Sequence, residues 1–178
     1  MRFRDWYFQG WERRTDENGK STFVYTGEVY TFPGGIRTAR RLCLTLSAAL
    51  IVVYGLVALL PSEGGMWHVA AIPQLIELIP LIYLVMGLAR LLTVKEPLTY
   101  RDHHASWRRL GSASVGSTVL TACMAAAEII YIVLYVRSGF GPELLYLLGE
   151  LSCFALSLAL ARYIRKHPCI PSVQTDKE

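Results

Sequence analysis

The chain is poor in charged residues and in cysteine, and each shortage narrows what it can be. Only 18% of its 178 residues are charged, against about 25% in soluble domains. The formal charge of +4 comes from 18 basic and 14 acidic residues, and it does not by itself indicate a nucleic-acid partner. No cysteine lies in a short loop that would face an oxidising compartment, so we expect no structural disulfide. The cysteines are Cys43, Cys123, Cys153 and Cys169.

Recognisable catalytic motifs are missing as well. The sequence contains no phosphate loop, nucleophile elbow, zinc-protease motif or kinase signature. Its four histidines do not form the two clusters that a metal site needs. We therefore predict no catalytic residue, no metal and no cofactor, and we do not favour an enzyme. The N-terminus lacks the basic–apolar–small pattern of a cleaved signal peptide, so the first apolar run is expected to act as an uncleaved insertion signal.

Hydrophobic residues, in contrast, make up 53% of the chain and are concentrated in four long runs. About 20 apolar residues suffice to cross a bilayer as a helix, so the runs predict transmembrane helices at about 41–60, 68–92, 110–136 and 142–163. The predicted fold class is an all-α membrane protein with a four-helix transmembrane bundle over residues 37–166. A polar, aromatic headpiece (1–36) precedes it, and a polar tail (167–178), expected to be disordered, follows it.

The basic residues predict the orientation of this bundle. Seventeen of the 18 Lys and Arg residues lie in or next to three segments: the headpiece, the connection between helices 2 and 3, and the tail. Only Arg137 lies in the other two connections. Since cytoplasmic segments carry the excess of Lys and Arg, both termini are predicted to be cytoplasmic. We expect an integral protein of the plasma (cell inner) membrane.

The headpiece has two interpretations. Asn18-Gly19 favours a tight hairpin turn, with residues 6–15 paired to residues 22–32 and Glu12 opposite Tyr25. Alternatively, its first aromatic residues share one face of a helix that would lie in the membrane interface. We favour the β-hairpin. The residues of the alternative helical face are Phe3, Trp6, Tyr7 and Trp11.

Three acidic residues lie inside the predicted helices. Counting residues from the helix ends places Glu77, Glu128 and Glu150 at about 10–14 Å below the outer boundary, at 1.5 Å per residue. No Lys or Arg lies at that depth, so the acids are protonated, hydrogen-bonded, or lining a wet cavity that binds a cation or a cationic solute. A shared intramembrane solute or proton site is therefore one hypothesis, and helix packing through protonated carboxyls is the other. Further candidates for this site are Gln74, Tyr54 and Tyr131.

Two prolines, Pro73 and Pro80, flank Glu77 at one helical turn on either side. Each removes a backbone hydrogen bond, and a helix broken beside an acid is how many transporters bind ions. A simple proline kink is the alternative.

The connection between helices 2 and 3 is basic and aromatic. We predict that it contacts anionic lipid of the inner leaflet through Arg101, Arg108, Arg109 and Trp107. The same connection contains Asp102, His103 and His104, which are the only residues we can offer for a lipid-acting enzyme.

Three functions follow from these observations. The leading interpretation is a non-enzymatic accessory or structural membrane subunit, with the bilayer and either a membrane-protein partner or further copies of itself as partners. The alternative is a small proton- or cation-linked transporter that uses the three acids. The lipid-acting enzyme is the third.

Overall fold

The structure is a computed structural model, and it describes residues 11–15, 21–136 and 140–173. Four long helices dominate it: α1 (Ile36–Ala58), α3 (His68–Thr93), α5 (Arg109–Tyr135) and α6 (Gly141–Lys166). Each is long and apolar enough to cross a membrane, which confirms the four predicted helices. The shortest has 23 residues, or about 35 Å at 1.5 Å per residue, against a hydrocarbon core of about 30 Å.

The helix ends differ from the prediction by a few residues, most of all in α1. This helix begins at Ile36 rather than near residue 41, so its first turns contain three arginines. One of them, Arg40, is not a flanking residue but a helix contact: its guanidinium donates to the backbone oxygens of Leu91 (2.8 Å) and Val94. These carbonyls at the end of α3 have no partner within their own helix, so Arg40 joins the two helices.

The four long helices form a ring in which each packs against two others, in the order α1, α3, α5, α6 and back to α1. A short helix, α2 (Glu63–Met66), joins α1 to α3 and packs against α3, α5 and α6. It lies across one end of the bundle, which we call the cap end. At the opposite end, α4 (Tyr100–His103) and a π-helical segment (His104–Arg108) lead into α5.

A three-stranded antiparallel sheet defines that opposite end, which we call the sheet end. The central strand β3 (Glu28–Thr31) pairs with β4 (Leu98–Thr99) on one side and with β5 (Ile170–Val173) on the other. The sheet brings the headpiece, the connection between α3 and α5, and the tail together, as three segments on one side of a membrane would be. It also corrects the expectation of a disordered tail for residues 170–173, because β5 is an edge strand, where Pro171 is tolerated.

The headpiece strands β1 (Trp11–Thr15) and β2 (Ser21–Tyr25) pair antiparallel, as the hairpin interpretation predicts. The register differs by one residue, since Glu12 lies opposite Val24 instead of Tyr25. Between the paired ends are five residues, an odd number that a two-residue turn does not allow. The predicted second strand is also divided, because residues 26 and 27 separate β2 from β3. Asn18-Gly19 and the aromatic residues 3–7 lie outside the described residues.

Trp107 does not face lipid, contrary to the prediction. Its side chain is only 4% exposed, and its ring packs edge-on against Phe32 and Tyr163, with centroid distances of 4.9 and 6.2 Å. The π-helical segment rotates it inward, onto the first and last helices. Arg101 and Arg108 are exposed, and the guanidinium of Arg109 lies 5.7 Å from the ring centroid of Tyr83.

Candidate functional site

The three acids of the long helices lie close together in the interior of the bundle. Glu77 on α3, Glu128 on α5 and Glu150 on α6 are each completely buried. Glu150 interacts electrostatically with Glu77 on one side and with Glu128 on the other. The sequence predicts only a similar depth for these acids, and their proximity follows from the packing of the helices.

A fourth acid, Glu143, extends this group toward the cap end. It lies in the first turn of α6, is 7% exposed and interacts electrostatically with Glu128. Its carboxylate accepts hydrogen bonds from Ser62 Oγ (2.5 Å) and from the backbone NH of Glu63 (3.0 Å). We call these four acids the carboxyl chain. In order from the cap end they are Glu143, Glu128, Glu150 and Glu77.

The sequence reasoning missed Glu143 as a site residue. It lies seven residues before Glu150, on the same face of α6. That spacing could have indicated Glu143 as a further residue of the site. Its position at a helix end is typical of an interfacial residue.

Most oxygens of the three deeper acids have no well-formed hydrogen bond among the described residues. Glu77 Oε1 accepts from Ser117 Oγ at 2.5 Å. Glu77 Oε2 and both oxygens of Glu128 and of Glu150 have no well-formed hydrogen bond in the described part of the chain, although Tyr146 lies within reach of Glu150 and Glu143 within reach of Glu128. No basic side chain pairs with them among the described residues. Buried polar atoms are nearly always hydrogen-bonded, so carboxyls that have at most each other and one tyrosine as partners point to protons or a ligand held there.

Two tyrosines and a glutamine surround these carboxyls. Tyr54 donates to the backbone oxygen of Gln74 at 2.6 Å, and Tyr146 lies 3.5 Å from Gln74 Oε1. Tyr54 interacts electrostatically with Glu77 and Glu150, and Tyr146 does so with Glu150 and Glu128. Of the predicted candidates, Tyr54 lies beside Glu77 and Glu150, and Gln74 contacts both tyrosines. Tyr146 is an additional residue that the sequence did not indicate.

Tyr131, the remaining candidate, lies at the rim of the site. It is partly exposed, its hydroxyl lies 3.4 Å from Glu63 Oε2, and its ring stacks on Tyr135. It belongs to an aromatic cluster with Trp67 that covers the cap end.

Helix α3 runs without interruption through Pro73 and Pro80, so the predicted helix break is absent from this described helix. Spanning helices tolerate proline where neighbouring groups satisfy the freed backbone. Any site beside Glu77 is therefore formed by side chains and not by an unwound backbone.

The cap helix α2 closes the carboxyl chain at one end. A methyl group on Gly64 would lie 2.7 Å from Tyr131 Cδ1 and even closer to the Glu128 carboxyl, and one on Gly65 would lie 2.8 Å from the Tyr146 ring. Glycine at both positions lets the backbone rest directly on the site. Ser62 caps the short helix by accepting from the NH of Gly65 at 2.9 Å, while donating to Glu143.

Toward the sheet end the carboxyl chain meets a mainly apolar interior. The completely buried leucines there include Leu84, Leu91, Leu110 and Leu160. Three completely buried serines, Ser47, Ser114 and Ser157, lie among the same helices, and the hydroxyl of Ser47 has no hydrogen-bond partner in the described part of the chain. The carboxyl chain therefore occupies the cap half of the bundle.

The arrangement does not resemble a metal centre. Within residues 11–15, 21–136 and 140–173, no three His, Cys, Asp or Glu side chains are grouped so that they could hold a metal ion. The carboxyls interact in successive pairs, Glu143 with Glu128, Glu128 with Glu150 and Glu150 with Glu77. Such pairs suit the exchange of protons.

The polar residues of the α3–α5 connection have structural contacts. Asp102 accepts from Arg90 and from Thr99, and its backbone NH is capped by the Thr99 hydroxyl. His103 stacks on Tyr30 with a centroid distance of 4.2 Å. Burial and the hydrogen bond to Glu28 raise the pKa of Tyr30 to about 12. These contacts hold the sheet against the helices.

Comparison with known proteins identifies no relative: no protein-family profile, curated protein or solved structure matches this chain. Its function is therefore argued from the site.

Proposed function

We propose that this chain is an integral membrane protein that binds protons on the carboxyl chain and works as a small proton-linked transporter. The observation that carries the proposal is the convergence of Glu77, Glu128 and Glu150, fully buried and with no basic partner in the described part of the chain. Ionised carboxylates are too costly in such an interior, so each holds a proton while the site is closed. Acids inside a membrane protein are rare, and they commonly mark proton relays and ion pathways.

Protons fit the site better than a metal ion does. A hard cation needs several oxygens around one point, whereas no three acidic side chains are grouped in that way in the described part of the chain. Neighbouring carboxyls exchange protons readily when the hydroxyls of Tyr54 and Tyr146 lie between them. A proton arriving at Glu143 thus has a route to the middle of the bundle.

We also propose that the sheet end faces the cytoplasm and that the cap end faces outward. The charge distribution supports this orientation, and the sheet explains how three separate basic segments stay together. The carboxyl chain then takes its protons from the outside, beneath the cap helix. The mainly apolar interior toward the sheet end slows proton movement toward the cytoplasm until the helices rearrange.

The direct test is infrared difference spectroscopy of the purified protein in lipid across a pH series. Protonated carboxyls in an apolar interior have a C=O band that disappears when they ionise. We expect that band in the wild type, and we expect it to be lost in a variant with Glu77→Gln, Glu128→Gln and Glu150→Gln. Glu63→Gln is the matched control, because Glu63 is an exposed acid on the cap helix, and it should retain the band. An identical pH response in the wild type and the triple variant would contradict the proton site.

Transport itself is tested in proteoliposomes containing a pH-sensitive dye. An imposed membrane potential should drive slow proton entry, limited by the rearrangement of the helices, with the wild type and with Glu63→Gln, and not with the triple variant. Equal rates in all three would exclude a role of these carboxyls in proton movement.

A second candidate is the accessory or structural subunit. The observation that favours it is the Ser117–Glu77 hydrogen bond, which joins α5 to α3 as packing through protonated carboxyls would. This function predicts a stoichiometric partner after purification from native membranes in mild detergent. A lone, monodisperse protein would count against it.

A further inference from the structure

A groove lies between α5 and α6 on the outside of the bundle, near the sheet end. Its volume is about 450 Å³, within the range of about 300–1,000 Å³ that is usual for small-molecule sites. Its walls are mostly apolar, with Thr118 as the one polar uncharged residue, and two arginines line it at one end. The residues that matter most are Gly111, Val115, Val119, Leu158, Arg162 and Arg165.

The two arginines are available for an anion. Arg162 and Arg165 are three residues apart, on one face of α6, and both are exposed. Neither forms an ion pair with any residue that the structure describes. Both lie in the last turns of the helix, where positive charge is favoured by the helix dipole but is not neutralised.

The length of the groove matches one leaflet of a bilayer. Its α5 wall runs from Gly111 to Val119, a separation of eight residue steps or about 12 Å at 1.5 Å per residue. Half of a hydrocarbon core of about 30 Å is about 15 Å. A chain lying in the groove would therefore reach from the headgroup layer at the arginines almost to the middle of the membrane.

We propose that this groove binds one anionic phospholipid of the leaflet at the sheet end. An acyl chain lies along Val115, Val119 and Leu158, and the phosphate is held by Arg162 and Arg165. Charge complementarity selects the occupant, because guanidinium groups bind phosphate bidentately. In the described part of the chain, the two arginines have no acidic partner that would attract the positively charged group of a zwitterionic headgroup. The inference depends on membrane insertion, and it is independent of the carboxyl chain.

The experiment is a lipid titration followed by native mass spectrometry of the detergent-purified protein. The probes are phosphatidylglycerol and phosphatidylcholine with the same acyl chains. Since basic residues near the membrane surface attract anionic lipid, we expect a preference for phosphatidylglycerol on the order of tenfold. Arg162→Gln with Arg165→Gln should abolish that preference.

A matched control removes the same charge elsewhere. Arg37→Gln with Lys166→Gln changes two exposed basic residues near the sheet end that do not line the groove, and it should keep the preference. Val115→Trp, which fills the apolar part without changing charge, should weaken the binding of both lipids.

Two results would overturn the proposal directly. They are equal affinity for the two lipids in the wild type, and an unchanged preference in Arg162→Gln with Arg165→Gln. Displacement of the lipid by inorganic phosphate at the same concentration would also overturn it, since the site would then recognise free phosphate.

Discussion

The contact between the cap helix and the carboxyl chain makes Gly64→Ala a sharp perturbation. The added methyl group would lie 2.7 Å from Tyr131 Cδ1 and nearer still to the carboxyl oxygens of Glu128. Contacts this short are not tolerated without movement. The ring of Tyr131 is packed on Tyr135 and Trp67, and Glu128 is completely buried. Glu128 has little space to move into, and movement of the Tyr131 ring would break its stacking on Tyr135, so we expect the cap helix to lift.

Overpacking of this kind costs about 1–3 kcal/mol. For a chain of about 150–250 residues, each 1 kcal/mol shifts the melting temperature by about 2–4 °C. We therefore expect Gly64→Ala to lower the melting temperature by roughly 2–12 °C. Gly55→Ala is the control, because no atom lies within 4 Å of the position that its methyl group would occupy in α1; replacing a helical glycine there should leave stability equal or slightly higher.

The assay is thermal unfolding in detergent, combined with hydrogen–deuterium exchange of the protonated carboxyls measured by infrared spectroscopy. Lifting the cap admits water to Glu128, so exchange should be faster in Gly64→Ala than in Gly55→Ala. A double-mutant cycle with Glu128→Ala locates the clash, because the methyl group should cost less once the carboxyl is absent. If Gly64→Ala had the same melting temperature and the same exchange rate as the control, the proposed contact of the cap helix with Glu128 and Tyr131 would be refuted.

Three further predictions follow from single contacts, each checked by unfolding of the purified protein. Ser117→Ala leaves both oxygens of Glu77 without a partner and should lower the free energy of unfolding by about 1–3 kcal/mol. The control Ser112→Ala, on the exposed face of the same helix, should change it by no more than about 0.5 kcal/mol. Equal effects of the two substitutions would contradict the Glu77 contact. Trp107→Ala should lower the free energy of unfolding by about 3–5 kcal/mol, as expected for a buried aromatic residue. A negligible loss of stability would instead support a position of Trp107 at the lipid interface. The folded state raises the pKa of Tyr30 to about 12, from an ordinary value near 10, so the unfolded chain loses this proton first as the pH rises. The contribution of Tyr30 to stability is therefore complete below about pH 10 and declines up to about pH 12. The variant Tyr30→Phe should lose this part of the pH dependence.

Several features of the interior could be predicted only in part. The sequence indicates that Glu77, Glu128 and Glu150 share a depth, because depth follows from counting residues along a helix. It does not indicate that they face one another, because the rotation of each helix depends on its neighbours. Glu143 and Ser117 were missed for the same reason, since one is placed as an interfacial residue would be and the other is one small residue among many.

At the sheet end, too, the sequence predicts some features and the tertiary structure decides others. The basic residues predict that its three segments share a side, but the pairing of residues 170–173 with β3 depends on strand contacts more than 130 positions apart. Trp107 in a basic loop is typical of an interfacial aromatic residue. Its burial results from the π-helical segment and from the positions of Phe32 and Tyr163.

The sequence alone determined that there are four long apolar helices and which segments share an end. In lipid a backbone must satisfy its own hydrogen bonds, so an apolar run of this length has essentially one solution. Only the tertiary structure decided which side chains meet, because small residues and short loops leave helix rotation and neighbour order to packing. The convergence of the carboxyl chain, its closure by Gly64 and Gly65, and the groove beside Arg162 all depend on that packing.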